Sequence, residues 1–399
     1  MKILIIDVNC KYSSTGNIVY AEYEYLKNHG HNVMVCYGRG PRINEEGIFK
    51  FGIDAETVLH AGLARITGYN GCFSPISTNR LIKVIKQFNP DVIHIHELHA
   101  YFVNIKPLME CIISVGIKTV LTLHCEYDYT GKCGYSNECM NFQSGCGNCP
   151  HLKDYPKSFF FDHTSEMLYM KRNLFSSINP VLTVPSQWME NRVKLSFMKD
   201  FKTYIVHNGL DTNLFTIRNS KDLIRKIHNI DDDKKILLGI APDIMSDRKG
   251  GKWMLEIASQ LKDRVHLILI GVESGVRAED NLTIISKITD RNSLSEYYSA
   301  ADVYILCSNR ETFSMTCAEA LSCGTPIVGF KAGAPETVFK EPYAVFTEYG
   351  DLYAITKAIS VRLDSTINPD VIRKYAVSEF SSERMCRGYQ NIFESLVEV

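Results

Sequence analysis

Two carboxylates and a basic pair are the most suggestive side chains in this sequence. Glu311 and Glu319 stand eight residues apart in Glu311-Thr312-Phe313-Ser314-Met315-Thr316-Cys317-Ala318-Glu319, between the β-branched runs Val303–Cys307 and Ile327–Phe330. A helix beginning at Ser314 or a neighbour leaves Glu311 in the loop before it and Glu319 inside it. At ~1.5 Å rise per residue the carboxylates then sit about 12 Å apart. Pairs acting on one glycosidic bond are closer, ~5 Å or ~6.5–9.5 Å, so these two suit hydrogen-bond acceptance at opposite ends of one hydroxyl-rich ligand. The first N–H groups of a helix lack intrahelical partners, and those around Phe313, Ser314 and Met315 would make an anion-binding terminus. A second segment, Asp247-Arg248-Lys249-Gly250-Gly251, follows the run Ile236–Ile240. Arg248 and Lys249 suit diphosphate oxygens and the charge that grows on a leaving group, with no metal required. Surface glutamates and an exposed basic turn are the bland alternatives.

Cysteines and histidines add a different chemistry. Cys133, Cys139, Cys146 and Cys149 fall within seventeen residues, ending in C-x2-C among glycines. That spacing fits a closed four-cysteine zinc site bracing a long loop; two disulfides, free thiols or an iron–sulfur centre are the alternatives. His94, His96 and His99 resemble a metal cluster on paper, but no matching carboxylate is evident and a core or cleft-wall role is expected. His124 closes the strand Lys118–Leu123. Tyr12-Ser13-Ser14-Thr15-Gly16-Asn17 reads as a loop between the first strand and a helix over Ile18–Asn28, and it lacks the G-x-G-x-x-G of a dinucleotide site.

Glu311 and Glu319, followed by Ala320-Leu321-Ser322-Cys323-Gly324-Thr325-Pro326, match E-x7-E and A-x-x-C-G-x-P. With Asp91-Val92-Ile93-His94-Ile95-His96 and Asn208-Gly209-Leu210-Asp211, they make the sequence resemble the retaining glycosyltransferases of family 4, which have the GT-B fold. The resemblance runs over nearly the whole chain. It implies transfer of a hexose-like sugar from a nucleoside-diphosphate sugar. Glu311 would contact the donor sugar and Glu319 the ribose, while the amides of Phe313, Ser314 and Met315 approach the sugar and diphosphate. Gly16 would lie near the diphosphate or acceptor, and His124 near the reacting carbon in a positioning role. In relatives a basic residue often follows the strand that here ends Gly239-Ile240-Ala241, so the Arg248–Lys249 pair is read as its replacement. A similar Cys-rich insertion marks a subset of bacterial enzymes of surface-polysaccharide assembly, which implies a saccharide or lipid-linked saccharide acceptor. A sugar-nucleotide epimerase or phosphorylase of the same fold, and a non-catalytic sugar-nucleotide-binding protein, remain as other readings.

Two α/β domains are expected to position these residues. Short β-branched runs alternate with amphipathic stretches in both halves, the signature of parallel sheets covered on two faces, and 399 residues is a two-domain length. The expected division is an N-terminal acceptor-side domain over 1–202, with the Cys-rich insertion at 125–155, and a donor-binding domain over 203–377. Residues 378–399 would return as a helix to the N-terminal domain, and the two Rossmann-like domains would face across a cleft. Lys+Arg at 44 against Asp+Glu at 45 argues against nucleic-acid binding. The opening apolar run is too short for a signal peptide or a membrane span, and thirteen cysteines point to a reducing compartment. The expectation is a cytoplasmic protein, with peripheral contact at the inner face of a membrane.

Overall fold

The structure, a computed structural model, describes residues 1–277 and 279–397. The chain divides into two compact units, residues 1–207 with 385–399, and residues 208–384. The first unit carries seven parallel strands: β1 (Lys2–Asp7), β2 (Asn32–Tyr37), β3 (Ile48–Lys50), β4 (Val92–Ile95), β5 (Lys118–Thr122), β6 (Val181–Val184) and β7 (Thr203–Ile205), in the order β3-β2-β1-β4-β5-β6-β7. The second carries β8 (Lys235–Ile240), β9 (Val265–Ile270), β10 (Leu282–Ile285), β11 (Val303–Leu306), β12 (Ile327–Phe330) and β13 (Ala344–Thr347), in the order β10-β9-β8-β11-β12-β13. The inner strands are mostly apolar and fully enclosed because helices cover both faces: every residue of β4, β9, β11 and β12 is buried.

Both sheets reverse strand order beside their first strand, at β1/β4 and at β8/β11. In Rossmann-like sheets that switch point is where loops at the carboxyl ends of the strands part and leave room for a ligand. The loop carrying Arg248 and Lys249 follows β8, and the loop carrying Glu311 follows β11.

Three expectations need correction. The first unit extends to His207 rather than 202, because β7 pairs with β6, Thr183 opposite Tyr204. The segment 378–384 stays with the second unit: Phe380 is buried in its core, and Leu210 bridges to Ser381. The returning helix is Ser382–Val397, the last two residues of the expected segment lying outside the described residues, and it buries Met385, Cys386, Tyr389, Ile392 and Phe393. The first helix begins at Ser13, not Ile18, and within its first turn the Ser13 hydroxyl accepts the Gly16 N–H at 3.2 Å. Gly16 therefore lies in a helical first turn rather than a loop.

Candidate functional site

In the second unit, a glycine brings the two chemical segments together. After β8 the chain turns through Ser246, whose carbonyl accepts the N–H groups of Lys249 and Gly250, both at 3.0 Å. Gly250 has φ +71°, and a Cβ there would lie 2.2 Å from the carbonyl oxygen of Cys307. Only glycine allows this turn to press against the end of β11. The consequence is a charge cluster: Lys249 Nζ lies 2.6 Å from Glu311 Oε1, and Arg248 Nη1 lies 3.7 Å from the same oxygen. The Glu311 backbone is pinned independently, its N–H donating to Ala332 O at 2.8 Å and its carbonyl accepting from Ala334 at 3.2 Å.

Burial opposes ionisation of Glu311, but Lys249 and Arg248 outweigh it and hold the carboxyl below its ordinary range. The site thus contains two cations against one fixed anion. Such a cluster is suited to a ligand bringing further negative charge.

The helix Met315–Ser322 starts where expected, with Ser314 preceding it at φ +84°. Phe313 faces inward, its ring 5.6 Å from that of Phe339 and 5.9 Å from that of Phe380. Its side chain is therefore core, and only its backbone is suited to ligand contact. Glu319 takes a hydrogen bond from the Tyr298 hydroxyl at 2.8 Å. Burial pushes the Glu319 carboxyl up to about 7, against the smaller pull of Tyr298 and Arg291. One glutamate is thus firmly ionised, and the other is poised near neutrality.

The first unit holds a polar chain that the sequence reading divided up. Glu22, from the helix Ser13–Asn28, is fully buried; its Oε1 lies 2.7 Å from His94 Nδ1 and its Oε2 2.8 Å from His96 Nε2. His94 Nε2 meets Thr122 Oγ1 at 2.7 Å, and His96 Nδ1 meets His124 Nε2 at 3.0 Å. The expectation that no carboxylate accompanies these histidines is overturned: Glu22 is that carboxylate. Glu22, His94 and His96 are the one group among the described residues whose ligand atoms are mutually close enough for a metal. Each of their ring nitrogens already has a protein partner, so they read as a hydrogen-bonded core, as expected of His94 and His96.

Burial pushes His94 down to about 4 and His124 down to about 3. Burial also works against an ionised Glu22, but His94 and His96 outweigh it and hold the carboxyl low. A carboxylate can only accept, so both histidines donate to it. His99, the third histidine, pairs instead with Glu97 at 3.4 Å. The tell-tale for Glu22 in the sequence was a charge on the apolar face of its helix, level with Ile18, Val19 and Leu26, all buried.

Cys133, Cys139, Cys146 and Cys149 are free thiols that all line one small cavity. The thiols of Cys133 and Cys149 touch, while no three of the four sulfur atoms come mutually within 4.8 Å.

Comparison with known proteins identifies the family and the fold. The model of the family described as Glycosyltransferase Family 4 matches residues 15–214, and that of Glycosyl transferases group 1 matches residues 236–365. The WcaC protein of Escherichia coli, whose name assigns it to colanic acid biosynthesis as a glycosyl transferase, is 22% identical over 330 residues, covering 80% of each chain. A D-inositol 3-phosphate glycosyltransferase of Mycolicibacterium smegmatis is 31% identical over 150 residues, 32% of each chain. Among solved structures, the sucrose-phosphate synthase of Thermosynechococcus elongatus superposes with a TM-score of 0.67 at 17% identity over 99% of this chain and 98% of that one. Anabaena HepE in complex with UDP-glucose superposes with a TM-score of 0.64 at 14% identity over 99% and 100%.

Proposed function

Because this chain belongs to glycosyltransferase family 4, we propose that it is a retaining, metal-independent glycosyltransferase taking a hexose-like sugar from a nucleoside-diphosphate sugar. The acceptor is a hydroxyl of a lipid-linked saccharide in surface-polysaccharide assembly, at the cytoplasmic face of a membrane. The observation that carries the reading is the cluster of Lys249, Arg248 and Glu311 at the β8/β11 switch point. The donor's diphosphate brings its negative charge to the two cations set there beside one carboxylate. Glu311 then accepts from the sugar hydroxyls and Glu319 from the ribose, while the amides of Phe313, Ser314 and Met315 turn toward the sugar and diphosphate.

In the reaction proposed, the bond from the anomeric carbon to the diphosphate breaks and the acceptor oxygen bonds to that carbon on the same face. The acceptor proton passes to the departing phosphate oxygen. Lys249 and Arg248 stabilise the charge that builds on that oxygen. In the first unit, Gly16 and His124 are assigned to the donor, with Glu22 holding the buried His94 and His96 beside His124. HepE in complex with UDP-glucose supports the donor class, and WcaC supports the polysaccharide setting. No helix among the described residues is long and apolar enough to cross a membrane, so contact with a lipid-linked acceptor would be peripheral.

The test is an incubation of the purified protein with UDP- and GDP-sugars and an acceptor panel, followed by NMR of the product's anomeric centre. An α product from an α donor is expected. An inverted product, turnover requiring free phosphate, or conversion of donor without acceptor overturns the reading.

A further inference from the structure

The Cys-rich loop lies in the first unit and takes no part in the donor chemistry. Its four thiols nevertheless converge. Cys133, Cys139, Cys146 and Cys149 all line one cavity of roughly 20 Å³, close to the ~10–15 Å³ that a single water-sized occupant needs. The backbone that presents the last two is unusual. Gly145, Cys146, Gly147 and Asn148 follow one another at φ +130°, +57°, +90° and +48°, and a left-handed non-glycine residue costs about 1–2 kcal/mol. The surroundings hold this turn in place: Cys146 N–H donates to Asn141 O at 2.8 Å, Gly147 N–H to Thr164 Oγ1 at 3.0 Å, and Cys149 N–H to Asp162 Oδ2 at 2.6 Å.

Charge supplies an independent observation. Lys132 and Lys171 are both buried. Lys132 Nζ donates to the carbonyls of His151, Leu152 and Asp154 at 2.7, 3.0 and 2.8 Å, and Lys171 Nζ to that of Tyr127 at 2.5 Å. Neither ammonium forms an ion pair among the described residues. The strongest acidic neighbours of Lys132 are Cys133 and Cys149, ahead of Asp154 and Asp162; those of Lys171 are Asp128, then Cys146 and Cys133. Buried cations are costly; carboxylates offset part of that cost, Asp128 at Lys171 and Asp154 and Asp162 at Lys132, and thiolates at the neighbouring cysteines would offset the rest. A zinc ion bound by four thiolates carries two net negative charges, matching the two ammonium groups.

We propose that Cys133, Cys139, Cys146 and Cys149 bind one structural zinc ion, with Lys132 and Lys171 as its buried counter-charges. Cys133 and Cys149 are already in contact, and side-chain rotation draws Cys139 and Cys146 in to the ~2.3 Å of a zinc–sulfur bond. Binding releases one proton from each thiol to solvent, and no electron is transferred. With all four positions taken by sulfur the ion has no open site, so it braces the loop rather than activating a substrate.

The test uses the whole chain purified without chelator. Elemental analysis should give about one zinc per chain, and cobalt exchanged into it should show sulfur-to-cobalt charge transfer with tetrahedral d–d bands. The variant Cys146→Ser should lose the metal, and Cys72→Ser, outside the cluster, should keep it. Should Cys146→Ser fail to fold, the cobalt spectrum of the unaltered chain still decides. Metal-free protein whose four thiols titrate freely, an intact mass four hydrogens short from two disulfides, or bound iron with sulfide overturns the proposal.

Discussion

The two units handle buried charge in opposite ways. In the second, Glu311 is set against two cations at the mouth of a strand switch point, with Arg248 still partly exposed. In the first, Glu22 is sealed inside, saturated by His94 and His96, and capped by the C-terminal helix, whose Tyr389 and Phe393 rings lie 4.8 and 5.3 Å from His94. A partly exposed cluster with two cations can take a charged ligand; a closed, saturated one can only hold its neighbours in place. The difference separates a binding role from a positioning role.

The sharpest way to break that comparison is Lys249→Ala. One charge stabiliser of a leaving group is typically worth ~2.7–4 kcal/mol, so transfer should fall several hundred-fold while the unfolding midpoint stays near that of the unaltered chain. Activity within threefold of the original would remove Lys249 from the site.

Glu22→Ala should do the reverse, acting first on stability. Breaking a buried pair by deleting one partner costs ~3–5 kcal/mol, which urea unfolding at neutral pH would measure. The pH dependence has a definite sign. His94 at about 4 and His124 at about 3 lie below their usual value of 6.5, so the unfolded chain binds protons first and stability is lost as pH falls below about 6.5. The lowered Glu22 adds a loss in the same direction further down. Between about pH 7 and 5 these two histidines should together cost a few kcal/mol, against the opposite pull of Asp7 and Glu319, both raised to about 7. The check is therefore the pH slope of the urea midpoint in His94→Gln and His124→Gln against the unaltered chain; equal slopes would show that the histidines are not held neutral.

Legibility in the sequence follows the same division. The donor cluster was readable because each half lies in one short contiguous segment at a strand end, Arg248-Lys249-Gly250 and Glu311 to Glu319. The inner strands were readable from their mostly apolar runs. What escaped depended on distant pairing. Glu22 meets histidines more than seventy residues away, and β3, β7 and β13 are short strands of three, three and four residues with half-buried or exposed positions, too brief to show a period. The Gly16 turn was misplaced because a first helical turn of Ser, Ser, Thr and Gly looks, in sequence, like loop composition.

Glu319 offers a smaller test of the same contrast, within the second unit. Its carboxyl, raised to about 7 by burial, keeps a proton in the folded chain that the unfolded chain releases from about 4.5 upward, so its ionisation costs stability as pH rises through that window. Ribose hydroxyls donate best to the ionised form, so donor binding should strengthen with pH through about 7, by at most tenfold per unit on the acid side. A UDP-sugar is the right probe, since its diphosphate diester does not titrate there. Calorimetry should show that slope in the unaltered chain and a flat, weaker profile in Glu319→Gln; equal slopes would detach Glu319 from the ligand.

The smallest expected effect is the response to divalent ions. Many diphosphate sites recruit a metal because the leaving group needs more positive charge than the protein supplies. Here Lys249 and Arg248 are fixed beside Glu311 before any ligand arrives, so the charge is preorganised and a metal would have to share phosphate oxygens with both. The cluster also offers a single carboxylate, already engaged by Lys249 Nζ, where a magnesium site calls for one or two carboxylates on the ion. Initial rates should therefore agree within about twofold with and without millimolar magnesium, in assays short enough to leave tightly held zinc in place. If Lys249→Ala became active only on adding magnesium, the metal would be substituting for the lysine and the assignment would be sharpened. Strict dependence of the unaltered chain on magnesium would mean that the Arg–Lys pair does not carry the leaving-group charge.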